Sequence, residues 1–136
     1  FLGRIHLEHA QMIRPETILR MKSRPVTCHI QPCHWISDRK WAEDKLGDLK
    51  KYVFPWRQLE DHNINFYFGS DAPVEPVSLA NNLRALEMAK RDAIAPLKSD
   101  PLKHHQFWDE TWTPNTYTVY EAGVAQQVVF EGEHLL

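Results

Sequence analysis

The residue types best suited to chemistry lie at the ends of two apolar segments. Asp71 follows the apolar run 64–68 through a Gly-Ser pair, and His9 follows the segment 4–8 near the start of the chain. Imidazole and carboxylate groups are standard ligands of a hydrolytic divalent metal. The pattern therefore predicts a metal site that contains His9 and Asp71. The same pattern also fits a structural interpretation, in which His9 is a hydrogen-bonded core histidine and Asp71 caps a turn.

His9 and Asp71 alone would form an incomplete site. A catalytic zinc ion takes three protein ligands and a water. Side chains alternate between the two faces of a strand, which places His6 on the face opposite to His9. We therefore do not expect His6 to ligate the same ion.

A second group of chemistry-bearing residues has the spacing C-H-x3-C-H, from Cys28 to His34. This spacing suggests a zinc site, but Cys28 and His29 are adjacent on a predicted strand and should point to opposite faces. We expect one buried thiol and one loop thiol instead. A nucleophilic pair of Cys33 and His34 in a free-standing small α/β protein is a further hypothesis, and no third orienting group supports it.

Strands and helices alternate along the chain, which predicts an α/β fold with parallel strands. Strands are predicted at residues 4–9, 26–31 and 64–71, and helices at 15–22, 55–62, 78–97 and 116–130. The segment 31–52 is predicted to be a long polar, aromatic-rich connection. In the third strand, Ile64, Phe66 and Phe68 should face covering helices, and Asp71 should lie on the opposite face with Asn65 and Tyr67.

Composition favours one globular domain. The chain has 136 residues, of which 43% are hydrophobic and 25% charged, and a net charge of -2. This charge does not favour nucleic acid, and no apolar run reaches the ~20 residues of a membrane helix. No signal peptide is recognisable, so we expect a cytoplasmic protein whose partner is a small molecule, with no nucleic acid and no membrane. Three parallel strands leave open edges, and the chain starts at Phe1, so both termini are expected to be cuts through a longer protein.

Five motifs occur in one order along the chain. They are Arg-Ile-x-Leu-Glu-His-Ala-Gln from residue 4, Gln-Pro-x-His-Trp from 31, Trp-Ala-Glu-Asp-x-Leu-Gly from 41, Pro-Trp-Arg from 55 and Gly-Ser-Asp-Ala-Pro-Val-Glu-Pro from 69. Together they closely resemble the amidohydrolase superfamily, specifically the amidohydrolase-3 branch, which includes metal-dependent N-substituted formamide deformylases. The match runs through most of the chain and is tightest over residues 4–76.

The resemblance implies a metal-binding (β/α)8 TIM-type barrel, in which the three predicted strands are strands 6, 7 and 8. A small β-sandwich accompanies this barrel, and its strands are expected after Leu136. By the same resemblance, His9 is a metal ligand, Asp71 is both a metal ligand and the general base, and His34 and Trp35 bind substrate. The implied activity is hydrolysis of a C–N bond in an amide, formamide or cyclic amide by a metal-activated water.

The family's other ligands would lie on earlier strands, so the fragment alone is expected to be inactive and to hold its divalent metal weakly, if at all. Zinc is the first expectation for that metal, although iron, manganese and nickel also suit a histidine and a carboxylate. An alternative interpretation is a non-catalytic α/β interaction domain. Such a domain would form a homo-oligomer through the exposed barrel surface.

Overall fold

The computed structural model describes residues 3–92 and 94–105, and the backbone of residues 109–113, 116–121 and 124–129. A parallel sheet and its helices come first in the chain, and an antiparallel sheet follows. The elements are β1 (Ile5–Glu8), α1 (Pro15–Met21), β2 (Val26–Ile30), α2 (His34–Leu46), α3 (Trp56–Asp61), β3 (Asn65–Phe68), α4 (Leu79–Arg91), β4 (Asp109–Thr113), β5 (Thr116–Glu121) and β6 (Val124–Val129), with short 3-10 helices at Gly47–Tyr52 and Pro101–His104.

The first sheet is parallel, with the order β1-β2-β3, as the alternation of strands and helices predicted. Its register places Leu7 beside Cys28 and Cys28 beside Phe66, so these three side chains share one face. The opposite face carries Glu8, His29 and Tyr67 in the same way. All three strands run in the same direction, so their carboxyl ends lie along one edge of the sheet.

The hydrophobic core lies on the helix-covered face of this sheet. Strands β2 and β3 bury their apolar side chains there, as predicted for β3, and α1, α3 and α4 cover them. Each fully buried large apolar side chain contributes roughly 1.5–3 kcal/mol. Central members of the core are Ile18, Cys28, Trp56, Leu59, Phe66 and Leu86.

Strand β1 is the exposed edge of the sheet. All four of its residues are exposed, including the large apolar side chains of Ile5 and Leu7. Among the described strands, β1 pairs only with β2. Its outer edge therefore presents backbone groups that can pair with a further strand.

The helix predicted over residues 116–130 is wrong, because β5 and β6 occupy this segment and pair antiparallel. Val119, Ala122 and Ala125 recur at the i, i+3 spacing of a helical face, but β-branched and aromatic residues dominate residues 116–120 and favour extended backbone. Strand β4 pairs with β5 to complete a second sheet. An antiparallel sheet therefore lies before Leu136, whereas such strands were expected only beyond it.

Two further segments differ from the sequence-based prediction. The long connection 31–52 contains α2 and a 3-10 helix, which were missed because the apolar positions of this segment form no continuous stripe. The helix predicted over 78–97 begins after the Ser78 cap, whose Oγ accepts the Asn81 amide at 3.2 Å, and it already ends at Arg91. Pro96 lies beyond this end, and proline disfavours helical backbone in the residue before it.

No helix in the described part of the chain combines the length and apolar character needed to cross a bilayer.

Candidate metal centre

Three side chains that can ligate a metal meet at the carboxyl edge of the parallel sheet. His9 directly follows β1, His34 opens α2 just after β2, and Asp71 lies shortly after β3. One ligand-type atom of each lies within 4.8 Å of the others. The Asp71 Oδ2 atom is 3.8 Å from His34 Nε2 and 4.0 Å from His9 Nδ1. The spacing between His34 and Asp71 leaves room for a shared cation, and both distances are too long for direct hydrogen bonds.

The backbone at two of these residues is left-handed. His9 has φ 68° and Asp71 has φ 60°, values that non-glycine residues rarely adopt. The Ala10 amide donates to the Glu8 carbonyl at 2.8 Å, which makes His9 the centre of a γ-turn of the rare, strained kind. Such strain is concentrated at functional sites. At His9 this turn changes the direction of the side chain, because strict alternation from Leu7 would point His9 to the helix-covered face.

A neighbouring glutamine fixes the orientation of His9. The Nδ1 atom of His9 lies 3.0 Å from the Gln31 Oε1 atom. The Gln31 amide nitrogen donates to the His29 carbonyl at 3.4 Å, so its oxygen faces the imidazole as an acceptor. His9 therefore donates from Nδ1 and keeps a lone pair on Nε2. Metal-binding histidines are commonly held in this way.

His34 carries a buried nitrogen that has no hydrogen-bond partner among the described residues. Its side chain is 11% exposed, and the unpaired atom is Nε2, the one nearest to Asp71. An unsatisfied buried polar atom costs about 1–3 kcal/mol. A cation held between His34 Nε2 and the Asp71 carboxylate would satisfy this nitrogen. The donor set of two imidazoles and one carboxylate therefore fits a divalent metal such as zinc.

The remaining candidate residues from the sequence lie elsewhere. Trp35 is 3% exposed and belongs to the hydrophobic core, with the Arg39 guanidinium 5.0 Å above its ring. Cys28 is fully buried, and burial raises the pKa of its thiol to about 11. His29 lies 3.0 Å from His6 through their ring nitrogens. Within the described residues, the cluster of potential ligands is thus His9, His34 and Asp71, and the C-H-x3-C-H spacing does not form a site.

The sequence profile of the amidohydrolase family matches residues 1–122. The chain belongs to the amidohydrolase family. This confirms the resemblance that the five motifs carried.

Two curated relatives match this amidohydrolase chain over different lengths. It is 42% identical over 72 residues to Putative amidohydrolase YtcJ of Bacillus subtilis, a match that covers 52% of the chain. It is 24% identical over 128 residues to Protein LONG AFTER FAR-RED 3 of Arabidopsis thaliana, which covers 93% of the chain. The chain spans only 14% and 20% of the lengths of these two relatives.

Two solved structures share the fold. One is an uncharacterized metal-dependent hydrolase from Pyrococcus horikoshii, with a TM-score of 0.56, 24% identity and coverage of 68% of this amidohydrolase chain. The other is an uncharacterized metal-dependent hydrolase from Pyrococcus furiosus, with a TM-score of 0.51, 23% identity and coverage of 73%. The chain corresponds to 18% and 19% of these two structures.

Sequence reasoning predicted His9 and Asp71 as metal ligands, and the structure places these two side chains together; their role as ligands stays a prediction. It predicted that His34 binds substrate, which also stays a prediction, and the structure brings this side chain into the same group of potential ligands. It gave no role to Gln31, which orients His9. Their positions could have indicated both roles, because Gln31 ends the second predicted strand and His34 follows it closely. The role of Trp35 in substrate binding stays a prediction.

Proposed function

We propose that this amidohydrolase chain supplies strands 6, 7 and 8 of a (β/α)8 barrel in a metal-dependent hydrolase. The reaction we propose is hydrolysis of a carbon–nitrogen bond in an amide, a formamide or a cyclic amide. One observation carries the proposal: three ligand-type side chains from the carboxyl ends of three successive parallel strands converge within 4.8 Å. Active sites of (β/α)8 barrels lie at this end of the strands.

His9 and Asp71 would hold the cation, with His34 as the third side chain that faces it. Zinc suits this mixture of imidazole and carboxylate, although other first-row metals accept the same donors. When bound, the cation supplies Lewis acidity, which lowers the pKa of water and polarises a carbonyl oxygen. The protein's own part is to hold the imidazoles in a fixed orientation, as Gln31 does for His9.

Asp71 is the proposed general base. Its side chain is 34% exposed, so a water molecule and a substrate can reach the carboxylate. A carboxylate within hydrogen-bond reach of the attacking water accepts its proton as the new bond to carbon forms. The same proton can then pass to the leaving nitrogen, which departs as a neutral amine. The left-handed backbone at Asp71 fixes the direction of this carboxylate.

The His34 side chain is only 11% exposed, whereas that of His9 is 51% exposed beside the edge strand β1, which further strands of a complete barrel would cover. In a complete hydrolase with additional ligands on other strands, His34 could contact substrate instead of the cation. A zinc titration of His34→Leu, followed by thermal unfolding, separates these two roles.

We further propose that the isolated chain is inactive. It spans only 14–20% of the lengths of its curated relatives, and the family resemblance puts further ligands on strands that it does not contain. The alternative function, an interaction domain that forms homo-oligomers, draws support from the exposed edge strand β1. Such a domain would not require His9, His34 and Asp71 to converge. A survey of C–N hydrolase substrates with the complete protein that carries this chain would therefore separate the two functions.

The proposed function is tested by Asp71→Asn in the complete protein that carries this chain. The amide cannot accept the proton, so we expect turnover of an amide substrate to fall by at least ~100-fold at saturating metal. Asp44→Asn, an exposed position on α2, is the matched control and should leave turnover unchanged. Turnover by Asp71→Asn similar to that of the control would refute the role of Asp71 as base.

A further inference from the structure

Asn82 is a fully buried polar residue on α4 that lies outside the group of potential ligands. Its Oδ1 atom accepts the backbone amide of Cys33 at 3.1 Å. Its Nδ2 atom donates to the carbonyl of Gly69 at 3.1 Å and lies 3.3 Å from His105 Nε2. One side chain thus connects three separate parts of the chain.

The position of Asn82 would favour an apolar residue on packing grounds alone. It lies on the buried face of α4 between Leu79 and Leu86, beside Leu83 and Ala85. Burying an amide group costs free energy unless its hydrogen bonds are made. Here the oxygen and the nitrogen both have partners, so the amide is tolerated because it connects backbone groups that a leucine could not hold.

Both backbone partners belong to the loops that carry the ligand-type side chains. Cys33 directly precedes His34, and Gly69 lies two residues before Asp71. The Cys33 thiol also donates to the Ser70 carbonyl at 3.8 Å, which joins the same two loops a second time. These contacts join the two loops beside the hydrogen bond from the Gly69 amide to the Ile30 carbonyl at 2.9 Å, which already links the ends of β2 and β3.

His105 orients the Asn82 amide. It is 1% exposed, and its Nδ1 atom donates to the Pro101 carbonyl at 3.2 Å. Nε2 therefore carries a lone pair that accepts from Asn82. Burial lowers the pKa of His105 to about 4, so the ring stays neutral and keeps this acceptor near neutral pH. The amide oxygen is thereby directed to Cys33.

We propose that Asn82 is a positioning residue, which ties the loop before His34 to the loop before Asp71 so that both side chains face one cation. This inference rests on the proposed function for its catalytic consequence. Its structural part, the coupling of two loops through one side chain, can be measured without a metal or a substrate.

Two variants separate the two halves of the connection. Asn82→Asp keeps an oxygen for the Cys33 amide and loses the donor to Gly69, whereas Asn82→Ala loses both. Amide hydrogen exchange in the metal-free protein should accelerate in residues 69–74 for Asn82→Asp, and in both 33–36 and 69–74 for Asn82→Ala. Asn81→Asp is the matched control, because Asn81 is a half-buried neighbour on the same helix. If Asn82→Ala yields too little folded protein, Asn82→Ser replaces it, because a hydroxyl is too short to reach both loops.

The catalytic consequence is measured in the complete protein. Residues that orient metal ligands typically contribute about 10- to 100-fold to metal affinity or activity. We expect Asn82→Asp to lower kcat and metal affinity within this range and to leave KM unchanged, since no substrate contact is removed. A merely structural role would instead lower the thermal midpoint and the folded yield, with the kcat of the folded protein unchanged.

Exchange that accelerates throughout the fold, or in neither loop, would overturn the proposal. So would an Asn82→Asp protein with the kcat and metal affinity of the control. A wild-type protein that binds no cation and hydrolyses no amide would refute the proposed function, and the exchange pattern of the two loops would still decide whether Asn82 couples them.

Discussion

Replacing His34 by leucine should stabilise the metal-free protein and destabilise the metal-bound protein. His34 Nε2 is buried and has no hydrogen-bond partner among the described residues, while it lies 3.8 Å from the Asp71 carboxylate. Leucine removes this unsatisfied nitrogen and still fills much of the space. In the metal-free protein we therefore expect His34→Leu to raise the free energy of unfolding by about 1 kcal/mol, the lower end of the cost of an unsatisfied polar atom.

In the presence of metal, His34→Leu should instead lower the free energy of unfolding. A cation that binds only the folded protein stabilises it by about 2.7 kcal/mol when its concentration is 100 times the Kd. His34→Leu keeps only two of the three ligand-type side chains and should lose most of this gain. The variant would then be less stable than the wild type by roughly 1–2 kcal/mol, which is the metal gain minus the relief of the unsatisfied nitrogen. At about 4 °C per kcal/mol, thermal unfolding resolves both differences.

The assay is a zinc titration followed by thermal unfolding of the wild type, of His34→Leu and of a control. His62→Leu is a suitable control, because the His62 Nδ1 atom already bonds to the Gln58 carbonyl at 2.8 Å on α3. His62→Leu should lower the free energy of unfolding by the same amount with and without zinc. A constant effect of His34→Leu across the titration would refute its role as a ligand and favour the substrate role. Absence of any stabilisation of the wild type by divalent cations would show that these three side chains alone do not hold one, as expected if ligands on further strands are required.

Two further predictions concern buried titratable groups. Burial lowers the pKa of His105 to about 4, below the ordinary 6.5, so between these pH values the unfolded chain binds a proton that the folded chain does not. The free energy of unfolding should therefore fall by up to about 1.4 kcal/mol per pH unit as the pH drops through this window. Chemical denaturation of His105→Gln should show a shallower dependence on pH. Burial raises the pKa of the Cys28 thiol to about 11, so a thiol reagent at mildly alkaline pH should leave Cys28 unmodified in the native protein and modify it after denaturation. Mass spectrometry of the labelled peptide checks this, and rapid native labelling of Cys28 would contradict its burial.

Local sequence signals predicted the parallel sheet well. β3 alternates as a half-buried strand does, β2 is a short apolar run, and the helices between the strands indicated parallel pairing. The same signals failed where packing decides the outcome. Helix α2 has no continuous apolar stripe, and β5 was read with a helical period although its β-branched and aromatic residues favour a strand.

For the candidate site, the sequence by itself determined which residues could ligate a metal and that His9 and Asp71 follow strands. It also carried the motifs that place the chain in the amidohydrolase family. These are local properties, because residue type, propensity and alternation depend on near neighbours along the chain.

Only the tertiary structure decided which of these residues meet. Alternation from Leu7 would have sent His9 to the helix-covered face, and the left-handed turn at His9 brings it to Asp71 instead. His34 joins them because parallel pairing aligns the carboxyl ends of three strands that are far apart in the chain. Asn82 connects the loops of His34 and Asp71 from a helix that follows all three strands. Such contacts depend on long-range pairing and on backbone conformations that only the packed fold can hold, so no local pattern specifies them.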